Sequence, residues 1–231
     1  MKFIIAGIGP GNPDLITLSV LNEAESSDFI LVPRAHDDDK PGIAEKIIAQ
    51  HLPEKKIIHI YFPMTKDSKR RGEIISEQLF NIKDKIEFAK KIFFPVIGDS
   101  MLYSTGAYLI EEAKKIFPYI EVDFIPGISA HSAACACAQR FMAMSEEIFS
   151  VIPGTADPEK ILSVLKNSDA AAIYKPTALK NKNIINFIKN SCKKIIRVDF
   201  AGIPEKEKIF YGFEALENIN EYLSIILIWK N

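Results

Sequence analysis

The chain is poor in the residues that mark several functional classes. Its 231 residues include only 3 cysteines, 4 histidines and 1 tryptophan, and the formal net charge is −1. Cys135, Cys137 and Cys192 make no metal-binding pattern. Cys135 and Cys137 lie in an alanine-rich, helix-like run, where a separation of two turns their side chains to different faces. Buried, reduced thiols are expected, and with them a cytoplasmic setting. His36, His51, His59 and His131 lack zinc-ligand spacing, so no protein-bound metal is expected. A charge so near neutrality argues against a nucleic-acid-coating protein. No apolar run reaches the roughly 18 residues needed to cross a bilayer. Met1 to Ile8 also lacks the basic start and long apolar core of a leader, so a soluble protein without membrane contact is expected.

What is present describes an ordinary core: 48% hydrophobic and 26% charged residues. Runs rich in branched residues predict strands at Lys2 to Gly9, Phe29 to Pro33, Lys56 to Ile60 and Lys91 to Ile97, with amphipathic segments between them. One helix is expected to open at Asn12 or Pro13, with Leu15, Leu18 and Leu21 on one face. Others are expected over Ile43 to His51, over Ile74 to Ala89 and from about Ser104. The second half restarts at Tyr119 to Ser129. Strands follow at Ile148 to Ile152, Ala170 to Tyr174 and Lys194 to Phe200, and the end reads as antiparallel, closing on Tyr222 to Lys230. This alternation is α/β throughout. The boundary is placed near Pro118, giving domains 1–117 and 118–231.

The stretch Pro95 to Thr105 organises the chemistry. An apolar strand runs into Gly98 and Asp99, and Ser104 and Thr105 offer hydroxyls and N–H groups at a helix start. Such strand-to-helix turns line the ligand crevice of an open α/β sheet, although an ordinary capped turn has the same composition. Gly7 to Gly11 fails the dinucleotide fingerprint, because its third glycine falls at Asn12. Pro10 removes an N–H, and the second strand ends in Val32-Pro33 rather than an acid, so a plain Rossmann site is disfavoured. Ser129 lacks the flanking glycines of a nucleophile elbow. His36 with Asp37 to Asp39 reads as a solvated loop. So does Phe62 to Glu73, the most basic loop, whose Lys66, Lys69, Arg70 and Arg71 become ligands only for a polyanion.

Several of these motifs, in order and spacing, resemble the tetrapyrrole (corrin/porphyrin) methylases over essentially the full length. They are Gly7 to Leu18, Ile97 to Thr105 and Pro126 to Ala130, with weaker matches at Tyr174 to Pro176 and Ala201 to Lys208. Within the family, Phe62 to Asp67, Leu102 to Thr105 and Tyr222 to Lys230 are most similar to the enzymes that methylate C-20 of precorrin-2 or cobalt-factor II in cobalamin biosynthesis. The resemblance implies two α/β domains with a ligand cleft between them, the first on the tetrapyrrole side and the second on the cofactor side, in a homodimer. It implies S-adenosylmethionine as methyl donor, contacted by Pro10, Ile97, Gly98, Asp99, Leu102, Ser129, Ala130, Lys175 and Gly202, with Ser104 and Thr105 in second rank. The family's central motif usually reads Gly-Asp-Pro. Here Ser100 replaces the proline, which adds an N–H and a hydroxyl and is expected to loosen the turn.

A sulfonium donor is already activated, so no covalent nucleophile is required, and catalysis reduces to positioning and exclusion of water. The sequence identifies no base for the departing proton; His131 is a weak candidate. The polycarboxylate substrate calls for cations, with Arg34, Lys66, Arg70 and Arg71 as candidates beside Lys69. The alternatives are another methylase of the fold (uroporphyrinogen III, precorrin-4 or diphthine synthase-like), a non-enzymatic binding module and a Rossmann oxidoreductase.

Overall fold

The computed structural model describes residues 1–35, 41–63, 65 and 67–230. Its contacts divide the chain into two compact units, Met1–Ser129 and Ala130–Asn231.

The first unit is a parallel sheet covered on both faces. Its strands are β1 (Lys2–Gly7), β2 (Phe29–Arg34), β3 (Ile57–Tyr61), β4 (Lys91–Val96) and β5 (Glu121–Ile125), in the order β3-β2-β4-β1-β5. The helices are α1 (Leu18–Ser26), α2 (Ile43–His51), α3 (Ser68–Asn81), the single turn α4 (Lys83–Ile86) and α5 (Gly106–Ile116). Alternate residues of β1 point to opposite layers. Ile4 and Ala6 pack with Val20 and Ala24 of α1 and Ala44, Ile47 and Ile48 of α2. Phe3 and Ile5 pack with Ile75 and Leu79 of α3 and with Leu109 and Ala113 of α5. Connections that move toward β3 therefore cross one face and those that move toward β5 cross the other, as right-handed crossovers require.

Three expectations need correction. Pro13 opens only a 3-10 turn, Pro13–Leu15; α1 starts at Leu18, where the Thr17 hydroxyl accepts the Val20 N–H at 3.3 Å. That shift rotates the helix, so Val20 and Ala24 are buried while Leu18 is 77% exposed. The basic segment is not a loop throughout. Asp67 caps α3 by accepting the Arg70 N–H at 3.1 Å, which places Arg70 and Arg71 in the first turn of a helix. The unit boundary falls after Ser129 rather than near Pro118, because β5 pairs in parallel with β1 from Lys2↔Glu121 to Ala6↔Ile125.

The second unit is a mixed sheet of β6 (Phe149–Pro153), β7 (Ala170–Tyr174), β8 (Lys194–Asp199), β9 (Lys208–Tyr211) and β10 (Ser224–Trp229), ordered β6-β7-β10-β8-β9. β6 and β7 are parallel, and β10 runs antiparallel to both β7 and β8, as the closing segment predicts. α7 (Pro158–Lys166) and α8 (Lys182–Ser191) bury Ile161, Leu165, Ile184 and Ile188 on one face. α6 (Ala130–Cys137) lays Ala133, Ala134 and Cys135 on the other. On β8, Arg197 and Asp199 share a face and pair at 3.1 Å. The guanidinium lies 3.9 Å from the centroid of the Phe210 ring, and Nη1 donates to the Ala215 and Glu217 carbonyls. This buried pair anchors the 3-10 segment Gly212–Leu216 to the sheet.

One buried carboxylate joins two helices of the first unit. Glu112 of α5, its side chain 8% exposed, accepts from Lys115 at 2.6 Å and from Ser76 of α3 at 2.8 Å. A Cβ on Gly72 of α3 would stand 2.6 Å from Glu112 Oε1, so glycine lets the helices approach. Burial pushes the Glu112 carboxyl up, but the Lys115 and Ser76 hydrogen bonds outweigh it and hold the group below its usual range. A depressed folded-state value means stabilisation that is present above the unfolded value and lost as pH falls through the folded one. Glu112→Gln is therefore expected to lower the Tm at pH 7, with the gap to the parent protein narrowing as the pH drops below about 4.5. Thermal melts across pH 3 to 7 check this; a gap that stays constant with pH would assign the loss to packing alone.

Candidate functional site

The carboxyl ends of β1, β4 and β5 meet in backbone-to-backbone contact. A Cβ at Gly127 would lie 2.4 Å from the carbonyl oxygens of both Gly7 and Gly98. One at Gly7 would lie 2.6 Å from Gly127 N and Gly98 O, and 2.8 Å from Ser100 N. The loops after β1 and β4 are then stitched by an antiparallel bridge: Gly98 N–H donates to Gly9 O at 2.7 Å and Gly9 N–H to Gly98 O at 3.2 Å. Both glycines have positive φ, 81° at Gly9 and 80° at Gly98, which a side chain would resist.

Around this knot the first unit places most of the sequence-predicted cofactor residues. Pro10 is buried directly after the bridge, and Ile97 and Leu102 are half-buried on either side of the β4 turn. Asp99 uses Oδ1 to accept the Met101 N–H at 3.1 Å, so the carboxylate shapes its own turn. Ser104 likewise turns inward, accepting the Gly106 N–H at 3.0 Å. Thr105 stands at the helix N-cap with helical φ and makes no side-chain capping bond, so Ser104 performs the capping expected of the pair. Tyr103 has φ 53° at the tip, and burial pushes its phenol up. Ser129 is buried at the end of the unit.

The second unit carries the other three. Ala130 begins α6. Lys175 has φ 52° and precedes the 3-10 turn Pro176–Ala178. Its carbonyl would be only 2.8 Å from a Cβ on Gly154. Gly202, with φ 78°, gives its N–H to Glu207 Oε2 at 2.9 Å, and the Cys137 thiol donates to the same oxygen at 2.9 Å.

The predicted cations differ in how far they are committed. Arg34 pairs with Glu45 at 3.0 Å, and His59 holds the other oxygen of that carboxylate at 3.0 Å. Burial pushes Glu45 up, and the His59 and Arg34 hydrogen bonds more than reverse this. Arg71 stacks 3.9 Å from the Tyr108 ring centroid and donates to the Thr65 carbonyl at 3.0 Å. Arg70 is exposed, and Lys69 lies 3.9 Å from Glu73. Lys66 and the segment His36 to Asp39 lie outside the described residues.

Two contacts had no signal in the sequence. Ser100 is 4% exposed and its hydroxyl donates to the Ile125 carbonyl at 2.7 Å, so the residue expected to loosen the turn instead ties it to β5. The His131 N–H donates to the Tyr174 hydroxyl at 3.2 Å, and His131 Nδ1 lies 2.8 Å from that oxygen. Separations of 25 and 43 residues hide such pairs from local pattern reading.

The sheet and its glycine knot define an α/β protein, and in open sheets of this class ligands bind at the carboxyl ends of the strands. The chain belongs to the tetrapyrrole (corrin/porphyrin) methylases, whose family model matches residues 2–215. It is 30% identical to the "probable cobalt-precorrin-2 C(20)-methyltransferase" of Methanocaldococcus jannaschii, over 96% of this chain and 93% of that one. It is 26% identical to the cobalt-precorrin-2 C(20)-methyltransferase of Salmonella typhimurium, over 75% of this chain and 72% of that one. The fold matches the crystal structure of uroporphyrin-III C-methyltransferase from Thermus thermophilus in complex with S-adenosylhomocysteine. That match has a TM-score of 0.69 at 13% identity, over 99% of this chain and 97% of that one.

Because the atoms that a Gly127 side chain would strike are backbone carbonyls, no rotamer change can relieve the clash. Gly127→Ala is expected to cost about 3 kcal/mol of unfolding free energy. Urea unfolding followed by fluorescence measures it, and an unchanged midpoint would show that the strand ends have slack.

Proposed function

We propose that this chain is the S-adenosylmethionine-dependent C-methyltransferase of cobalamin biosynthesis that acts at C-20 of precorrin-2 or cobalt-factor II. The likeness to the archaeal cobalt-precorrin-2 relative, which runs nearly end to end in both chains, carries this reading. S-adenosylmethionine supplies an activated methyl group on a cationic sulfur. The β4 turn suits such a ligand, since it combines the Asp99 carboxylate with the half-buried aliphatic Ile97 and Leu102. We assign Pro10, Ile97, Gly98, Asp99, Leu102, Ser104, Thr105 and Ser129 to the donor, and with them Ala130, Lys175 and Gly202 of the second unit. Gly9 and Gly98 spend their N–H groups on each other, so their role is to shape the turn.

These residues would orient donor and acceptor in line and exclude water; the donor's leaving group needs no protonation. The proton lost from the acceptor carbon is not assigned to a base. Arg34, Arg70 and Arg71 of the first unit are proposed to bind substrate carboxylates, and Lys66, outside the described residues, is a candidate with them. Arg70, exposed and outside the ion pairs that hold Arg34, is the residue from which the largest effect is expected. A cytoplasmic homodimer is the assembly that goes with this reading.

A mass-resolved methyl-transfer assay, with precorrin-2 and cobalt-factor II offered separately, tests the reaction. One methyl gained by either supports it, and the ratio of kcat/KM values ranks the metal-free and cobalt-bearing acceptors. Neither methylated, with S-adenosylhomocysteine binding intact, redirects the activity to uroporphyrinogen III, precorrin-4 or another acceptor of the family. At the donor site, Asp99→Ala is expected to weaken binding by about 1–3 kcal/mol through loss of a turn-forming carboxylate; calorimetric affinity equal to the parent's would remove Asp99 from the site. At the acceptor side, Arg70→Ala is expected to raise the tetrapyrrole KM several-fold while leaving donor affinity unaltered. An unchanged KM would return Arg70 to the solvated surface.

A further inference from the structure

Ser100 sits where the turn that follows β4 meets the end of β5. Within this turn the Asp99 carboxylate holds the Met101 N–H at 3.1 Å, and the Leu102 N–H reaches the Asp99 carbonyl at 3.5 Å. The bridge between Gly9 and Gly98 ties the turn to the loop after β1. Toward β5, the packing of Gly98 on Gly127 is joined by a hydrogen bond, the Ser100 hydroxyl donated to the Ile125 carbonyl at 2.7 Å. Ile125 is the last residue of β5, just before the Pro126-Gly127 step that packs on Gly7 and Gly98. Ser100 itself is buried, so removing its hydroxyl takes a hydrogen-bond donor from the strand-end carbonyl of Ile125.

We propose that Ser100 is a positioning residue for the methyl donor. Its hydroxyl holds the backbone of Gly98 to Leu102 in the shape that presents Asp99 and Leu102, without itself touching the ligand. This rests on the donor assignment made above. The hydrogen bond supplies the rigidity that a ring-closed residue at this position would supply through its fixed φ. A loose turn would have to be ordered at the moment of binding, which reduces affinity.

The test is calorimetric titration of the full chain with S-adenosylhomocysteine, comparing the parent with Ser100→Ala and Ser100→Cys. The cysteine variant keeps the volume but is a poor donor, and it covers the case in which the alanine protein does not fold. The expected result is an affinity about tenfold weaker in the alanine variant and several-fold weaker in the cysteine variant. In methyl transfer, the donor KM should rise while kcat and the tetrapyrrole KM at saturating donor stay within about twofold. Amide exchange at Met101 and Leu102 should quicken in both variants. Parent-like donor affinity in a variant whose Tm has fallen would overturn the proposal, since the hydroxyl would then serve the fold alone. If the parent chain itself fails to bind S-adenosylhomocysteine, the donor assignment falls and takes the proposal with it, an outcome visible before any variant is made.

Discussion

The close approach of three strand ends constrains everything else in the first unit. Gly7 and Gly127 pack main chain on main chain with each other and with Gly98, at separations that leave no room for a β-carbon at Gly7 or Gly127. Such packing fixes the loops after β1, β4 and β5 relative to one another more tightly than side chains could, because side chains can change rotamer and carbonyl groups cannot. The loops are then displayed from a rigid base, the condition for placing a small ligand on irregular backbone. The positive φ values at Gly9 and Gly98 follow from the same geometry, since the chain has to reverse sharply to form the bridge between them.

Away from this knot, the buried charges are paired, and each pairing does a structural task. Glu112 joins α3 to α5, Arg197 and Asp199 hold the segment after β9, and Glu207 gathers the Gly202 amide and the Cys137 thiol. A buried ion that lost its partner would destabilise the fold by far more than the pair adds to it. The same logic sorts the cations. Arg34 lies against Glu45 and Arg71 over Tyr108, so their charge partly serves the fold, while Arg70 faces solvent and carries the anion-binding proposal most directly.

Much of this was legible in the sequence, and the parts that were not share a cause. The strands announce themselves through branched, apolar runs, so β7, β8 and β10 fall where the runs are, including the antiparallel return of β10. Helix starts were less visible. Pro13 is a favourable first helical residue, yet the Thr17 cap four residues later defines α1, and the charge of Lys69 to Arg71 masked the Asp67 cap of α3. The unit boundary was misplaced because β5 looks, locally, like a fresh start; only its pairing with β1, about 120 residues apart in sequence, assigns it to the first sheet. The site divides the same way. Its glycines and Asp99 are readable as turn formers, but the bonds from Ser100 to Ile125 and from Tyr174 to His131 exist only once distant segments are brought together.

The thiols complete the argument from chemistry. A chain proposed to handle an activated methyl group must not offer that group a competing nucleophile, and a thiolate would be the most reactive one available to it. Cys135 is pushed up to about 11 by burial and then by the neighbouring Cys137. Cys137 also stands at about 11, first through burial and then through its hydrogen bond to Glu207. Burial raises Cys192 as well. A thiol is already mostly neutral at about pH 7, and these shifts lower the thiolate fraction of all three further. Few, and buried or half-buried, the cysteines of this sequence are compatible with the proposed reaction.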